Sequence, residues 1–134
     1  MAEDEGYQGV EVYHFAHGLA VRIHAMTLQL PGFERFEEAT QIRKSSKSSV
    51  VQIVEGCGLR KYRDEFLHYL HRAKASADET RELLRLLHET GSLADTGLYS
   101  ALAAECDKLT AKMGSFIISV EKNHSLPFYL RPDR

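Results

Sequence analysis

The sequence predicts an all-α protein, and specifically an up-down-up-down antiparallel four-helix bundle. Apolar residues recur at steps of three and four over most of the 134 residues, which is the period of a helix with one buried face. Short breaks containing glycine or proline divide this pattern into four segments. Short links between long helices place sequential helices antiparallel. The best strand candidate, residues 50–54, is too short to compete with its helical flanks.

The first two segments end at residues that break helices. The first covers residues 10–30 and stops at Pro31-Gly32, because proline cannot donate a backbone hydrogen bond and glycine frees the chain to turn. The second covers residues 33–55 and stops at Gly56 and Gly58, which can adopt the left-handed conformation of a helix C terminus. The predicted buried stripes are Tyr13, Ala16, Ala20, Ile23, Thr27 and Leu30, followed by Phe36, Ala39, Ile42, Ser46, Val50 and Ile53.

The third and fourth segments have the most regular stripes. Asp64 and Glu65 open the third segment, where negative charge complements the helix dipole, and Gly91 ends it. The fourth segment covers residues 96–122. The predicted buried stripes are Phe66, Leu70, Ala73, Ala77, Thr80, Leu84 and Leu87, followed by Leu98, Leu102, Cys106, Leu109, Met113, Phe116 and Val120.

The third segment carries more apolar surface than one bundle seam needs. Tyr69, Leu83 and Leu86 lie beside its main stripe, and residues 125–130 after the last segment are also largely apolar. One interpretation is a thick core with the C-terminal tail folded over its own bundle. The other is an interface between subunits, because surplus apolar surface commonly marks a partner site. The sequence leaves both interpretations open.

Composition predicts one soluble domain, residues 10–122, between an acidic flexible tail (1–9) and an apolar, proline-containing tail (123–134). Apolar residues make up 43% and charged residues 27% of the chain, which excludes global disorder. The formal net charge of −2 excludes a polycation. The two cysteines lack disulfide-framework or zinc-finger spacing. The acidic start is unlike a signal peptide, and no stretch is apolar enough for a membrane span. These features predict a cytoplasmic protein that does not bind membranes.

Positive charge is concentrated in residues 41–63. A basic stretch of this kind can neutralise phosphates by displacing counterions, and Tyr62 within it could stack on an unpaired base. The alternative is a solvated helix face whose basic end complements the helix dipole. The candidate nucleic-acid-binding residues are Arg43, Lys44, Lys47, Arg60, Lys61, Tyr62 and Arg63, which with Glu55 as the one acidic residue give a local charge of +5.

Histidine pairs invite a metal hypothesis, since di-metal helical bundles use Glu-x-x-His ligands. In the predicted topology three such pairs would share one end of the bundle with Glu55. They lie beside the apolar stripes rather than on them, so surface histidines are the preferred interpretation and no metal or cofactor is predicted. The pairs are Glu11–His14, Glu65–His68 and Glu121–His124.

Motifs for nucleophilic catalysis and phosphate binding are missing from the sequence. No nucleophile elbow surrounds the serine cluster, and no Gly-x-x-x-x-Gly-Lys loop occurs. Cys57 lies near basic residues, but a helix C terminus raises the pKa of a thiol rather than lowering it. We therefore expect no enzymatic activity and expect the small serines to let helices approach closely. The cluster comprises Ser45, Ser46, Ser48 and Ser49.

The second segment also carries a recognisable motif. Residues 41–56, QIRKSSKSSVVQIVEG, align without a gap to a pattern close to Q-I-R-R-A-x-x-S-I-x-x-N-I-A-E-G. A basic residue, Glu65-Phe66 and Ala73-x-x-Ser76-x-x-Glu79 follow. This combination resembles the four-helix-bundle family related to the 23S ribosomal RNA intervening-sequence protein, over about residues 10–122. Gln52 stands where that family usually has asparagine.

The resemblance implies a bundle that assembles into homopentamers. One relative is the strongly basic accessory protein of diversity-generating retroelements, which binds nucleic acid and a reverse transcriptase; this chain, at −2, lacks that overall positive charge. Within the motif we expect Glu55 to fix the following turn through Arg60 and Arg63, and Glu79 to bridge to a neighbouring helix. The residues to which the resemblance gives structural roles are Gln41, Ile53, Glu55, Gly56, Phe66, Ser76 and Glu79.

Two functional hypotheses follow. In the first, the chain is a non-catalytic, ring-forming accessory protein that binds RNA or DNA through the basic residues of segment 41–63. In the second, it is a protein-interaction scaffold that presents helix surfaces or the C-terminal tail to another protein and has no nucleic-acid role.

Overall fold

Four antiparallel α-helices form the structure. The computed structural model describes residues 7, 10–33 and 37–124, and these contain no strand. Each helix packs against its neighbours in sequence, and α1 also packs against α4, so the four enclose one core. The predicted all-α four-helix bundle is therefore confirmed. The helices are α1 (Glu11–Thr27), α2 (Glu38–Gly58), α3 (Arg63–Glu89) and α4 (Thr96–Asn123).

The first helix is shorter than the predicted segment. It ends at Thr27, and the next three residues form a tighter turn in which Leu30 N–H donates to the Thr27 carbonyl at 3.3 Å. Leu30 is nevertheless buried. Helix α2 begins only at Glu38, so Phe33 belongs to the connection and is exposed. Phe36, predicted to be buried, lies outside the described residues.

Helix α2 ends at Gly58, within the glycine-containing stretch where the sequence predicts its end, but neither Gly56 nor Gly58 adopts the left-handed conformation expected there. Gly56 is needed for a different reason: a Cβ atom there would lie 3.1 Å from the Cβ of Tyr69 and 3.5 Å from the carbonyl oxygen of Phe66. The missing side chain therefore lets α2 approach α3. Among the described residues, only Gly91 after α3 adopts a positive φ, at 86°.

The core follows most of the predicted stripes, whereas Tyr13, Val50, Leu98 and Phe116 are half-buried against it. Every position on the predicted stripe of α3 is buried, from Phe66 to Leu87. Leu83 also joins the core, Tyr69 is half-buried, and Leu86 stays at the surface. The surplus apolar surface of α3 is thus mainly core, which supports the first interpretation for Leu83. The C-terminal residues 125–134 lie outside the described residues.

Hydroxyl groups fill the seam between α2 and α3. Buried Ser45 and Thr80 share a hydrogen bond of 2.8 Å across the seam, and Ser49 Oγ donates to the Ala73 carbonyl at 3.1 Å. Small side chains allow the helices to approach, and every buried hydroxyl needs a partner because desolvating an unpaired one is costly. The expectation that the serine cluster serves helix packing is confirmed for Ser45 and Ser49.

The close approach at Gly56 generates a prediction about stability. Replacing Gly56 by Ala should lower the free energy of unfolding by about 1–2 kcal/mol, because the new methyl group presses against the Cβ of Tyr69, which the α3 backbone holds in place. The matched control is Gly58→Ala, where a Cβ meets nothing within 4 Å. That change should be neutral or stabilising, since alanine is the better helix former.

Thermal unfolding followed by circular dichroism gives both values. A Gly56→Ala melting temperature equal to or above that of Gly58→Ala would show that α2 and α3 are not packed this closely.

Candidate nucleic-acid interface

The strongest concentration of positive charge lies on α2. Lys44 and Lys47 are exposed, and Arg43 is half-buried. No aspartate or glutamate occurs between residues 39 and 54, so that stretch of the helix carries three cations and no acid. The surface is therefore suited to phosphate contacts, which depend on local positive charge.

The second basic group lies in the turn between α2 and α3. Lys61 and Arg63 are exposed there, and Tyr62 is 58% exposed between them. The turn is well ordered by hydrogen bonds: Tyr62 N–H donates to the Leu59 carbonyl at 2.8 Å, and the Tyr62 carbonyl in turn accepts from Phe66 N–H at 2.9 Å. A tyrosine ring held at the surface by a fixed backbone can serve as a stacking platform for a base.

Contacts with the end of α4 hold this turn in place. His124 is buried, and its Nε2 lies 2.6 Å from the Arg60 carbonyl oxygen. Because a carbonyl only accepts, Nε2 carries the proton of this hydrogen bond. Arg63 Nη2 donates to the Glu121 carbonyl at 3.2 Å. These two bonds attach both ends of the turn to α4, a role for His124 that its Glu-x-x-His spacing did not indicate.

The charge of the turn is more balanced than the sequence count suggested. Asp64 and Glu65 open α3 directly after the turn, and Arg63 Nη1 lies 3.6 Å from Asp64 Oδ1. The local charge of +5 was counted over residues 41–63 and does not include these two carboxylates. Along the helix axis, Lys47 lies about 17 Å from the last residue of α2 at a rise of about 1.5 Å per residue. The basic residues therefore form two groups, and the α2 group has the larger net charge.

The expected role of Glu55 is wrong in this structure. Glu55 is exposed, and within the described part of the chain no ion pair joins it to Arg60 or Arg63; Arg63 contacts α4 and Asp64 instead. Glu79 is also exposed and makes no bridge to a neighbouring helix among the described residues.

Ser76, one of the residues of the motif, bridges α3 and α2. Its Oγ lies 3.3 Å from Ser48 Oγ and donates to Gln52 Oε1 at 3.2 Å. Gln52 stands where the family usually has asparagine, and in this structure it acts as a hydrogen-bond acceptor between α2 and α3. Ile53, Gly56 and Phe66 are buried, whereas Gln41 is exposed.

The Glu-x-x-His pairs do not assemble. Glu11 accepts a hydrogen bond of 2.6 Å from Lys112 Nζ on α4, which holds the pKa of that carboxyl below its usual value. His124 Nε2 is engaged by the Arg60 carbonyl. Over the residues that the structure covers, no three His, Cys, Asp or Glu side chains are grouped to hold a metal ion.

Sequence patterning missed one surface feature, a groove between α1 and α2. It has a volume of about 480 Å³ and includes two exposed valines, Val21 and Val51. Both residues lie off the predicted stripes, and isolated apolar residues off a stripe are too common to signal a site. The groove is lined by His17, Ala20, Val21, His24, Lys47, Val50 and Val51.

Both cysteines are buried and free. Burial raises the pKa of Cys57 to about 11, against an opposing effect of Arg60, and burial likewise raises the pKa of Cys106 to about 11. Cys57 is therefore not an activated thiol. The main cause of its raised pKa is burial rather than its position at the end of α2.

No helix in the described residues is both long and apolar enough to cross a membrane.

The contact of His124 with the turn generates a second prediction. His124→Ala should lower the free energy of unfolding by about 1–3 kcal/mol, because it leaves the Arg60 carbonyl without its partner and opens space beside Phe66. Amide hydrogen exchange should also speed up at residues 60–63. His71→Ala, at an exposed position on α3, is the control and should change neither quantity. Unchanged exchange in the turn of the His124 variant would show that α4 does not hold it.

Thiol reactivity gives a third prediction. With a pKa of about 11, only roughly one thousandth of each thiol is ionised at pH 8. In native protein both cysteines should therefore react with Ellman's reagent far more slowly than free cysteine, and both should react at once in denaturant. One thiol that reacts at the free rate in native protein would contradict the burial described above.

Comparison with known proteins places this geometry in a family. The chain matches the model of the 23S rRNA-intervening sequence protein family over residues 8–115. It is similar to the crystal structure of a protein of unknown function from the S23 ribosomal protein family of Bacteroides thetaiotaomicron, with 25% identity and a TM-score of 0.72, covering 80% of this chain and 95% of that one. No curated protein matches. The chain therefore belongs to the 23S rRNA-intervening sequence protein family.

Proposed function

We propose that this protein is a non-catalytic, homo-oligomeric accessory protein of the cytoplasm that binds nucleic acid through the basic residues of α2 and of the turn that follows. The observation that carries this proposal is the segment of α2 from 39 to 54, which presents lysines at the surface and contains no acidic residue. The ring-like, pentameric assembly is the one that the family resemblance implies.

Positive charge without a neighbouring carboxylate favours phosphate over most other ligands. Each lysine that neutralises a phosphate displaces condensed counterions, so affinity falls as salt is added. Several other basic residues of the chain are engaged elsewhere: Lys74, Arg81 and Lys112 each pair with a carboxylate at 3.4 Å or less. Lys44 and Lys47 have no such carboxylate on their own helix nearby.

Tyr62 adds a preference for unpaired bases. Its ring is exposed, Lys61 and Arg63 flank it, and the backbone of the turn is hydrogen-bonded on both sides. Stacking on an aromatic ring needs an unpaired base, whereas phosphate contacts do not. Single-stranded or loop-containing RNA therefore fits this surface better than a DNA duplex, in keeping with a family named for an intervening sequence of 23S rRNA.

The non-catalytic part of the proposal is supported by the state of the nucleophiles. Both thiols are buried with raised pKa values, and the buried serines at 45 and 49 are hydrogen-bonded within the α2–α3 seam. These side chains stabilise the bundle and are not accessible to a substrate.

A protein-interaction scaffold with no nucleic-acid role is the second candidate. The exposed apolar groove between α1 and α2 favours it, since such patches commonly mark partner sites. Under this alternative another protein, or the same chain, would be the only partner.

Fluorescence anisotropy with a labelled stem-loop RNA and a labelled DNA duplex tests the proposal. We expect the RNA to bind at near-physiological salt, and the slope of log Kd against log salt to fall by about one for each phosphate that a variant no longer neutralises. Lys44→Glu and Lys61→Glu should each weaken binding several-fold without altering the assembly. Lys108→Glu, an exposed lysine on α4, is the control and should bind like the parent.

Tyr62→Ala separates stacking from charge. It should weaken binding to the stem-loop by roughly 1–3 kcal/mol, the contribution of one stacked base, and leave binding to the duplex unchanged. Parent protein that binds neither probe even at low salt would contradict a nucleic-acid role and leave the scaffold. Binding that Lys44→Glu, Lys61→Glu and Lys108→Glu all preserve would show that the interface lies elsewhere.

A further inference from the structure

We propose that the groove between α1 and α2 is where one subunit binds a second copy of this chain, and that the surface it receives is the acidic outer face of α3. The α1–α2 face is defined by the seven groove residues given above. The acidic α3 face is defined by Glu79, Glu82, Leu86 and Glu89. This inference rests on the homo-oligomer of the proposed function and assigns the two surfaces that form it.

The α1–α2 face leaves a large apolar surface in contact with solvent. Val21 is 58% and Val51 is 53% exposed, and Leu28, two turns beyond Val21 on the same side of α1, is also exposed. Phe33 in the connection between the two helices is also exposed. These are four of the seven exposed large hydrophobic residues in the described chain. Exposed apolar side chains that line a groove on a helical bundle indicate a protein partner.

The charged groups around the groove are of one sign. Lys47 is the one lysine or arginine that lines it, and no acidic residue does. Lys44 lies one turn from Lys47, on the outer side of α2. A partner surface must therefore supply apolar contact at its centre and negative charge around it.

The outer face of α3 has that composition. Glu79, Glu82, Leu86 and Glu89 are spaced by three or four residues, so they lie on one side of the helix, and all four are exposed. Glu82 pairs with Arg85 on the same helix at 3.8 Å, so Glu79 and Glu89 supply most of the net negative charge of this face. Leu86, at 37% exposure, is the apolar centre. Seating it between Val21 and Val51 brings the surrounding glutamates toward the cationic edge of the groove. Leu86, the apolar residue of α3 that the core does not bury, would thus contact the neighbouring subunit.

Charge also decides against a symmetric pair of grooves. A two-fold contact of the α1–α2 face with itself would place two cationic edges opposite each other, and like charges in an interface are costly. The groove of one subunit and the α3 face of the next are different surfaces, so the contact is heterologous. A heterologous contact builds a ring when its rotation closes. Lys47 then serves the subunit contact, and Lys44 with the turn remains for nucleic acid.

Sedimentation velocity over a range of protein concentrations tests this assignment. The double variant Val21→Glu, Val51→Glu places negative charge where the neighbour's glutamates approach, and Leu86→Lys places positive charge against the cationic edge. Each variant should sediment as a monomer with the helical content of the parent. Ile118→Glu, at a residue 52% exposed on α4, is the matched control and should keep the mass of the parent assembly.

Mixing the two monomeric variants tests the heterologous pairing. One variant retains an intact α3 face and the other an intact groove, so the mixture should form dimers or larger assemblies at concentrations at which each variant alone is a monomer. No dimer at concentrations well above those at which the parent assembles would overturn the pairing of these faces.

The remaining outcomes separate this inference from the proposed function. A parent that assembles while the Val21, Val51 double variant keeps the same mass overturns the assignment of the groove and leaves the homo-oligomer. A parent that stays monomeric at every concentration overturns the homo-oligomer itself. If Ile118→Glu also dissociates the assembly, the effect is not specific to the α1–α2 face, and the assignment is wrong.

Discussion

Helices α2 and α3 approach closely because small residues line their contact, and the position of the candidate interface depends on that approach. Gly56 has no side chain where a Cβ would meet Tyr69 at 3.1 Å. Further along the seam, hydroxyl groups replace larger apolar side chains and bond to each other or to carbonyls. Such a seam tolerates little added volume, because interiors are packed as densely as crystals of small molecules. It fixes where α2 ends and α3 begins, and therefore where the turn between them lies.

That turn shows how one buried side chain supports an exposed one. His124 and Arg63 join the turn to the end of α4, and Tyr62 is left at the surface between two cations. The side chain that holds the backbone in place at Arg60 is therefore distinct from the ring available to a ligand. A rigid platform limits the entropy lost when a base stacks on it, whereas a mobile loop with the same residues would bind more weakly.

Two surfaces of the bundle face solvent side by side, and they suit different partners. The lysines of α2 and the turn are cationic and polar, which favours phosphates, while the groove beside them combines valines with a cationic edge. Because α2 contributes to both, the proposed assembly and the proposed nucleic-acid binding would use adjacent strips of the same helix. In a ring, this arrangement would repeat Lys44 and the basic residues of the turn once per subunit, and repeated weak phosphate contacts on one assembly give higher avidity than any single contact.

The sequence by itself determined the fold class, the four helices and most of the core, because helical periodicity reports which face of each segment is buried. Core residues beside the predicted stripes, such as Leu19, Met26 and Ile117, were identified only by the structure. It also identified the motif in which Ser76, Gly56 and Phe66 prove structural. The tertiary structure alone decided what depends on contacts distant in sequence. Gly56 serves helix packing rather than termination because Tyr69 lies opposite it, and His124 holds a turn 64 residues away. Glu55 stays exposed rather than pairing with Arg60 or Arg63, because Arg63 contacts α4 and Asp64 instead. The groove with Val21 and Val51 exists only once α1 and α2 are placed side by side, since neither helix alone shows that its off-stripe valine has a neighbour.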